Sequence, residues 1–174
     1  MIKDSGERRE FETGAVRDIA EGKGRCDLLP LDVVSNVLSD NLILAHIDRF
    51  IRDGNNFELV DCLKQFAKDL STDLPSLIIE VSKHYEDGAK KYAERNWEKG
   101  IPLHCYIDSA TRHYLKWLRG DKDEPHDRAF TWNILGALWT VSHFPDMNDL
   151  PFAIGGGVKC DKHSLSELGS GNNC

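Results

Sequence analysis

No run of apolar residues in this chain approaches the length of a membrane span. Stretches such as Leu42 to Ala45 and Leu77 to Ile79 are a few residues long, against the roughly 20 that a helix needs to cross a bilayer. The opening residues MIKDSGERRE carry charge with no apolar segment behind them, so no secretory signal is expected. Positive charge is also in deficit, with 22 Lys and Arg against 29 Asp and Glu and a net charge of −7. A sequence-independent grip on a nucleic acid polymer needs a positive field, and that class is set aside. A small anion held in a local basic pocket is not. The five cysteines (Cys26, Cys62, Cys105, Cys160 and Cys174) are odd in number and show no paired spacing, which fits reduced thiols and a cytoplasmic location. Cys160 and His163 make a C-x-x-H fragment that lacks the two further ligands a structural zinc site requires. Alternating strand patterns and internal repeats are missing as well.

What is present is helical periodicity. At 174 residues the chain suits one domain with a sizeable core. Residues 1–25 are polar and glycine-punctuated and read as an irregular arm, with Arg8, Arg9, Arg17, Lys23 and Arg25 supplying phosphate-binding groups that neighbouring acids offset. From Leu31, apolar residues recur at three- and four-residue steps through Ile51, and Gly54 ends the pattern. Asn55 with Glu58 resembles a capping box for a second helix along Val60, Leu63, Ala67 and Leu70. A third helix is expected after Asp73, with Pro75 tolerated in its first turn. A fourth spans about Leu103 to Leu118 and a fifth about Asp127 to Ser142. The expectation is an all-α bundle of four to five helices over residues 1–145, followed by a glycine-rich tail over 146–174. That tail contains IGGGVK, which lacks the spacing of a phosphate loop.

Charge concentrates in Ser82 to Gly100, SKHYEDGAKKYAERNWEKG, around Gly88, which is expected to loosen the third helix. At 100° per residue, Glu80, His84, Asp87 and Lys91 share one face. Such a column suits a divalent cation with a phosphate set against the lysine, and it equally suits a solvated face laced by i,i+3 and i,i+4 pairs. Trp97 in the following loop reads either as a base-stacking group beside Asn96 or as a plug over the core. His126 and Asn133, two turns apart, would point at one ligand.

The segments KGRCDLLPLDV (Lys23 to Val33), GAKKYAERNWEKGIP (Gly88 to Pro102), RHYLKWLRGDKDEP (Arg112 to Pro125) and HDRAFTWN (His126 to Asn133) occur in this order. In them the chain resembles the dATP/dGTP diphosphohydrolase-type domain of phages and prophages, a distant relative of the all-α MazG-like nucleotide pyrophosphohydrolases. In shorter members the DLLP segment leads almost directly to the GAKKY helix; here residues 36–70 add two helices, as in longer members.

The resemblance implies hydrolysis of a deoxypurine nucleoside triphosphate to the monophosphate and pyrophosphate, with Mg²⁺ or Mn²⁺ as cofactor. It implies Glu80 as catalytic metal ligand with His84, Glu86 and Asp87 beside it. Glu124 joins as a further metal ligand, and His113 and His126 as catalytic groups. Lys90, Lys91 and Arg112 would contact phosphates, and Asn96 and Trp97 the base or sugar, with Asn133 also on the substrate. The protein would act in the cytoplasm, the host's if phage-encoded, and assemble as a dimer or tetramer. MazG-like enzymes carry E-E-x-x-E and a later E-x-x-D, whereas here Ile79 precedes Glu80 and His84 stands at the second-turn carboxylate. That departure keeps a nucleotide-sequestering protein as an alternative. The His126-Asp127 pair with His113 keeps an HD-type phosphohydrolase as a third.

Overall fold

The computed structural model describes residues 6–151. It is an all-α bundle of six helices: α1 (Leu31–Val37), α2 (Leu42–Asp53), α3 (Asn56–Asp69), α4 (Leu74–Tyr92), α5 (Leu103–Arg119) and α6 (His126–His143). The extra helix arises because the periodic run from Leu31 is cut in two. Ser39 and Asp40 take positive φ values of 61° and 58°, and the Asn41 side chain accepts from the Leu44 amide to start α2. Ser, Asn and Asp favour turns and caps because their short side chains compete for backbone groups, and Ser39, Asp40 and Asn41 supply three such positions only after α1 has run its course.

Other helix ends follow local chemistry. Gly54 closes α2 in the left-handed region at φ 67°, where a side chain would be strained. Asn55 caps α3 by accepting from Phe57. Its expected partner Glu58 reaches instead to α2, accepting from Arg49 Nε at 2.8 Å and lying 2.7 Å from His46 Nδ1. Asp73 caps α4 through Ser76, and α4 runs through Gly88 without interruption.

The arm is more ordered than its composition suggested. Strand β1 (Arg8–Glu10) pairs antiparallel with β2 (Val16–Asp18), placing Arg8 opposite Asp18 and Arg9 opposite Arg17. Three residues per strand are too few for an alternating pattern to register. Asn96 then pins the hairpin to the body: its side-chain amide accepts from the Val16 amide at 2.9 Å and donates to the Val16 carbonyl at 2.8 Å.

The core is one continuous cluster. Ile43, Leu44, Ile47 and Phe50 of α2 and Leu59, Leu63 and Phe66 of α3 bury against Tyr106, Ile107 and Tyr114 of α5 and Phe130 and Ile134 of α6. Phe66 sits edge-on to Phe130, Trp117 and Tyr114 at centroid distances of 4.5, 5.1 and 6.0 Å. Helices α5 and α6 pack most extensively. A glycine makes this possible: a Cβ at Gly136 would lie 2.3 Å from Tyr106 Cε1. Leu150 is buried beyond α6, so residues 146–151 belong to the body. The expected docking segment at Phe152 to Ile154, IGGGVK and Cys160 with His163 lie outside the described residues.

Candidate functional site

Helix α4, the hairpin, α5 and the start of α6 leave between them a cleft of about 880 Å³. Its floor and walls mix guanidinium groups with aromatic rings. Arg17 of β2 donates from Nη2 to Ser109 Oγ at 3.1 Å and to Asn133 Oδ1 at 2.9 Å. Its guanidinium carbon stands 5.1 Å from the Tyr106 ring centre and 5.5 Å from that of Trp132, a cation–π arrangement that orients the group without neutralising it. Arg17 Nη1, Arg9 Nε and Arg112 Nε are buried with no hydrogen-bond partner among the described residues. A buried donor left unbonded is costly, and three guanidiniums lining one cleft suit an anion with several oxygens.

The neighbouring charges are arranged by pairing. Asp18 accepts from Lys91 Nζ and from the Tyr92 hydroxyl, both at 2.8 Å. Asp108 pairs with Arg112 and accepts from the Cys26 amide at 2.7 Å, fixing the guanidinium that faces the cleft. Burial lowers the pKa of Lys23, with Asp18 opposing that shift. The turn from α4 into the cleft rim is strained: Ala93 and Arg95 hold φ values of 91° and 55°, conformations that non-glycine residues adopt at a cost.

One end of the cleft holds a cluster with metal-ligand spacing. His113 Nδ1 lies 3.0 Å from His126 Nδ1. Glu124 Oε1 lies 3.5 Å from the first and 3.7 Å from the second. His126 Nε2 is 2.8 Å from Asp123 Oδ1, and Asp123 Oδ2 accepts from Lys116 Nζ at 3.1 Å. Burial, then the neighbouring His126 ring, holds the His113 pKa well below the usual imidazole range. The His113 ring can therefore present a lone pair at neutral pH. Asp121, Asp123 and His126 form a second, more exposed group with similar spacing.

Of the residues singled out in the sequence, the structure brings His113, Glu124, Arg112 and Asn133 to the cleft, with His126 buried behind His113 and Glu124. His84 also lines the cleft, tilted against Trp132 at 5.8 Å. Its pKa falls to about 4 through burial, with Asp87 opposing the shift, and its Nδ1 is buried without a partner among the described residues. Lys91 is drawn to Asp18. Glu80 stands apart: its side chain is 42% exposed, pairs with Lys83 at 2.6 Å and Arg128 at 2.7 Å, and does not line the cleft. A helix turns away from its partner along its length, so sharing a face with His84 does not bring Glu80 to the same cavity. Lys90 is likewise exposed, bonded to Glu86 at the rim at 2.5 Å. Asn96 spends its amide on Val16. Trp97 lines the cleft but packs edge-on to Trp139 at 4.9 Å and Tyr85 at 5.8 Å, so it serves as plug and wall together.

Sequence reasoning gave Arg17 only as one basic residue of the arm, and Asp108, Ser109 and Trp132 no role in a site. Their signal was weak because each depends on a tertiary neighbour. Arg17 needs the hairpin, and Trp132 reads as core until a guanidinium lies across it.

The class is thus an all-α bundle with a basic, aromatic cleft and a histidine–carboxylate cluster at one end. A family model described as dATP/dGTP diphosphohydrolase, N-terminal, matches residues 62–150. The chain belongs to that family, and the match runs from within α3 to the buried Leu150. No curated protein and no solved structure matches the chain.

Proposed function

We propose that the cleft binds a deoxypurine nucleoside triphosphate and that the protein hydrolyses it to the monophosphate and pyrophosphate in the presence of a divalent cation. The observation that carries this reading is that, in a chain of this family, Arg9, Arg17 and Arg112 line one cavity together with His113 and Glu124, two members of the His113–Glu124–His126 cluster. Arg17, Arg112 and Arg9 would hold the phosphate oxygens and offset the charge that develops on the leaving pyrophosphate. The Trp97 and Tyr85 edges would border the base. Asn133 would act through Arg17, whose guanidinium it fixes.

Mg²⁺ does not fit these residues as a protein-held ion. It requires near-octahedral oxygen coordination, while the cleft carboxylates Asp18 and Asp108 are tied to cations and Glu124 converges with two imidazoles. Mn²⁺ tolerates such a mixed donor set better.

The test is to incubate the full chain with dATP or dGTP and either Mg²⁺ or Mn²⁺ and to resolve the products by ion-exchange chromatography. Deoxynucleoside monophosphate and pyrophosphate are expected. Tripolyphosphate would replace this reading with the HD-type reaction, and retention of intact nucleotide by the protein would replace it with sequestration.

A further inference from the structure

The donor atoms of the histidine–carboxylate cluster are spaced for one particular kind of ion. His113 Nδ1, His126 Nδ1 and Glu124 Oε1 form a triangle with sides of 3.0, 3.5 and 3.7 Å. Each vertex is about 2.0 Å from the common centre, so a cation about 2.1 Å from all three stands roughly 0.7 Å out of their plane. That displacement is the one a tetrahedral ion has above the base formed by three of its ligands. A fourth position is then left over, and the cluster adjoins the cleft through His113 and Glu124, which line it with Arg112 and Lys116.

A hydrogen bond between the two rings accounts for their 3.0 Å approach but not for the position of Glu124. The Glu124 oxygen is at or beyond the limit of a useful hydrogen bond from both rings. Asp123 Oδ1 lies 2.8 Å from His126 Nε2, on the far side of the ring from the Nδ1 that faces His113 at 3.0 Å. A carboxylate behind a ligating imidazole is a recurring support for metal sites, since it fixes the tautomer and raises the basicity of the ring. His126 is almost wholly buried, with 1% of its side chain exposed, so the ring cannot swing to another partner.

We propose that His113, Glu124 and His126 hold a resident zinc-class ion, four-coordinate, with its fourth position open to the cleft for water or a phosphate oxygen. Two imidazoles and one carboxylate in this geometry match the three-ligand catalytic arrangement of Zn²⁺ and discriminate against Mg²⁺. The ion ties the start of α6 to the middle of α5 and places a Lewis acid at the end of the basic wall. Binding of the ion stands without the nucleotide reading; only the substrate offered to the open position rests on it.

The experiment titrates Co²⁺ into the chelator-treated full chain and follows visible d–d absorption, which is strong for four-coordinate and weak for six-coordinate Co²⁺. The expected result is strong bands that saturate at one Co²⁺ per chain, disappear on addition of Zn²⁺ and survive an excess of Mg²⁺. Glu124→Gln and His113→Ala should lose them with the helical circular dichroism intact, and Asp123→Asn should keep them with about 10- to 100-fold weaker affinity. Absence of strong bands at stoichiometric Co²⁺, bands untouched by Glu124→Gln, or displacement by Mg²⁺ at a concentration comparable to Co²⁺ would overturn the assignment. Product analysis separates this from the hydrolase reading. Turnover without a Co²⁺ site removes the resident ion alone, and a Co²⁺ site without turnover removes the hydrolase alone.

Discussion

The two sides of α5 bury different things. Towards α2 and α3 it meets Phe50, Leu59, Leu63 and Phe66, apolar groups whose exclusion from water needs no partner other than close packing. Towards α4 and the hairpin it presents Asp108, Ser109, Arg112 and His113, which lie against Arg17, Cys26 and Glu124 through hydrogen bonds and ion pairs. The first side gains stability from area. The second forfeits some, because charges and imidazoles are desolvated and several of their N–H groups stay unbonded. A bundle that concentrates stability on one side of a helix and unsatisfied polarity on the other has room to bind a charged ligand.

If this division is real, the largest stability loss belongs to the apolar side. Phe66 is fully buried among three aromatic rings, and Phe66→Ala should cost about 3–5 kcal/mol. Urea denaturation should show that loss, while nucleotide affinity per folded molecule stays within experimental error. A fall in affinity as large as the fall in stability would mean that the two sides are not separable.

Acid should damage the polar side. His84 titrates near 6.5 when unperturbed and near 4 in the fold, because burial disfavours its charged form. Between those values the unfolded chain takes up a proton that the folded chain excludes. Stability is therefore full above about pH 6.5 and declines as pH falls towards 4, by on the order of 3 kcal/mol in all. His113 is shifted in the same direction and adds to the decline. Urea midpoints measured from pH 7 to pH 4 should fall less steeply for His84→Asn, and an unchanged slope would remove His84 as a cause.

Gly136 joins the two sides. Its missing side chain admits Tyr106 against α6, and the Tyr106 ring in turn carries Arg17. Gly136→Ala should displace that ring at a cost of about 1–3 kcal/mol. Unlike Phe66→Ala, it should also raise KM for the triphosphate, because the guanidinium moves with the ring. A stability loss with KM unchanged would show that Ser109 and Asn133 hold Arg17 without help from Tyr106.

The apolar side was the more legible in the sequence, for a physical reason. The periodicity of α2, α3, α5 and α6 is a property of each segment alone, and helix ends at Gly54, Asn55 and Asp73 were marked by residues whose local chemistry fixes the cap. The break at Ser39 and Asp40 was hidden because apolar residues continue on both sides at helical spacing. On the polar side, His113, Glu124 and His126 could be named from the family resemblance, but no spacing rule revealed that their atoms meet. The hairpin and Arg17 escaped because two three-residue strands carry no period, and their placement depends on Asn96, eighty residues from Val16. Sequence adjacency overstated the α4 column for the opposite reason. It treated a shared helical face as a shared environment.

Glu80 puts that last point to the sharpest test with the smallest expected effect. Its carboxylate is held below the usual pKa, chiefly by the hydrogen bond from Lys83, with Arg128 adding to the shift. Its side chain is nevertheless 42% exposed, and ion pairs open to solvent contribute little to stability. Glu80→Ala should leave urea midpoint, Co²⁺ binding and turnover close to those of the parent chain, whereas Glu124→Gln abolishes the Co²⁺ signal. If Glu80→Ala instead abolished turnover with the fold intact, the reacting centre would lie along α4 rather than at the α5–α6 junction. The cleft would then be working from the face that its geometry leaves outside.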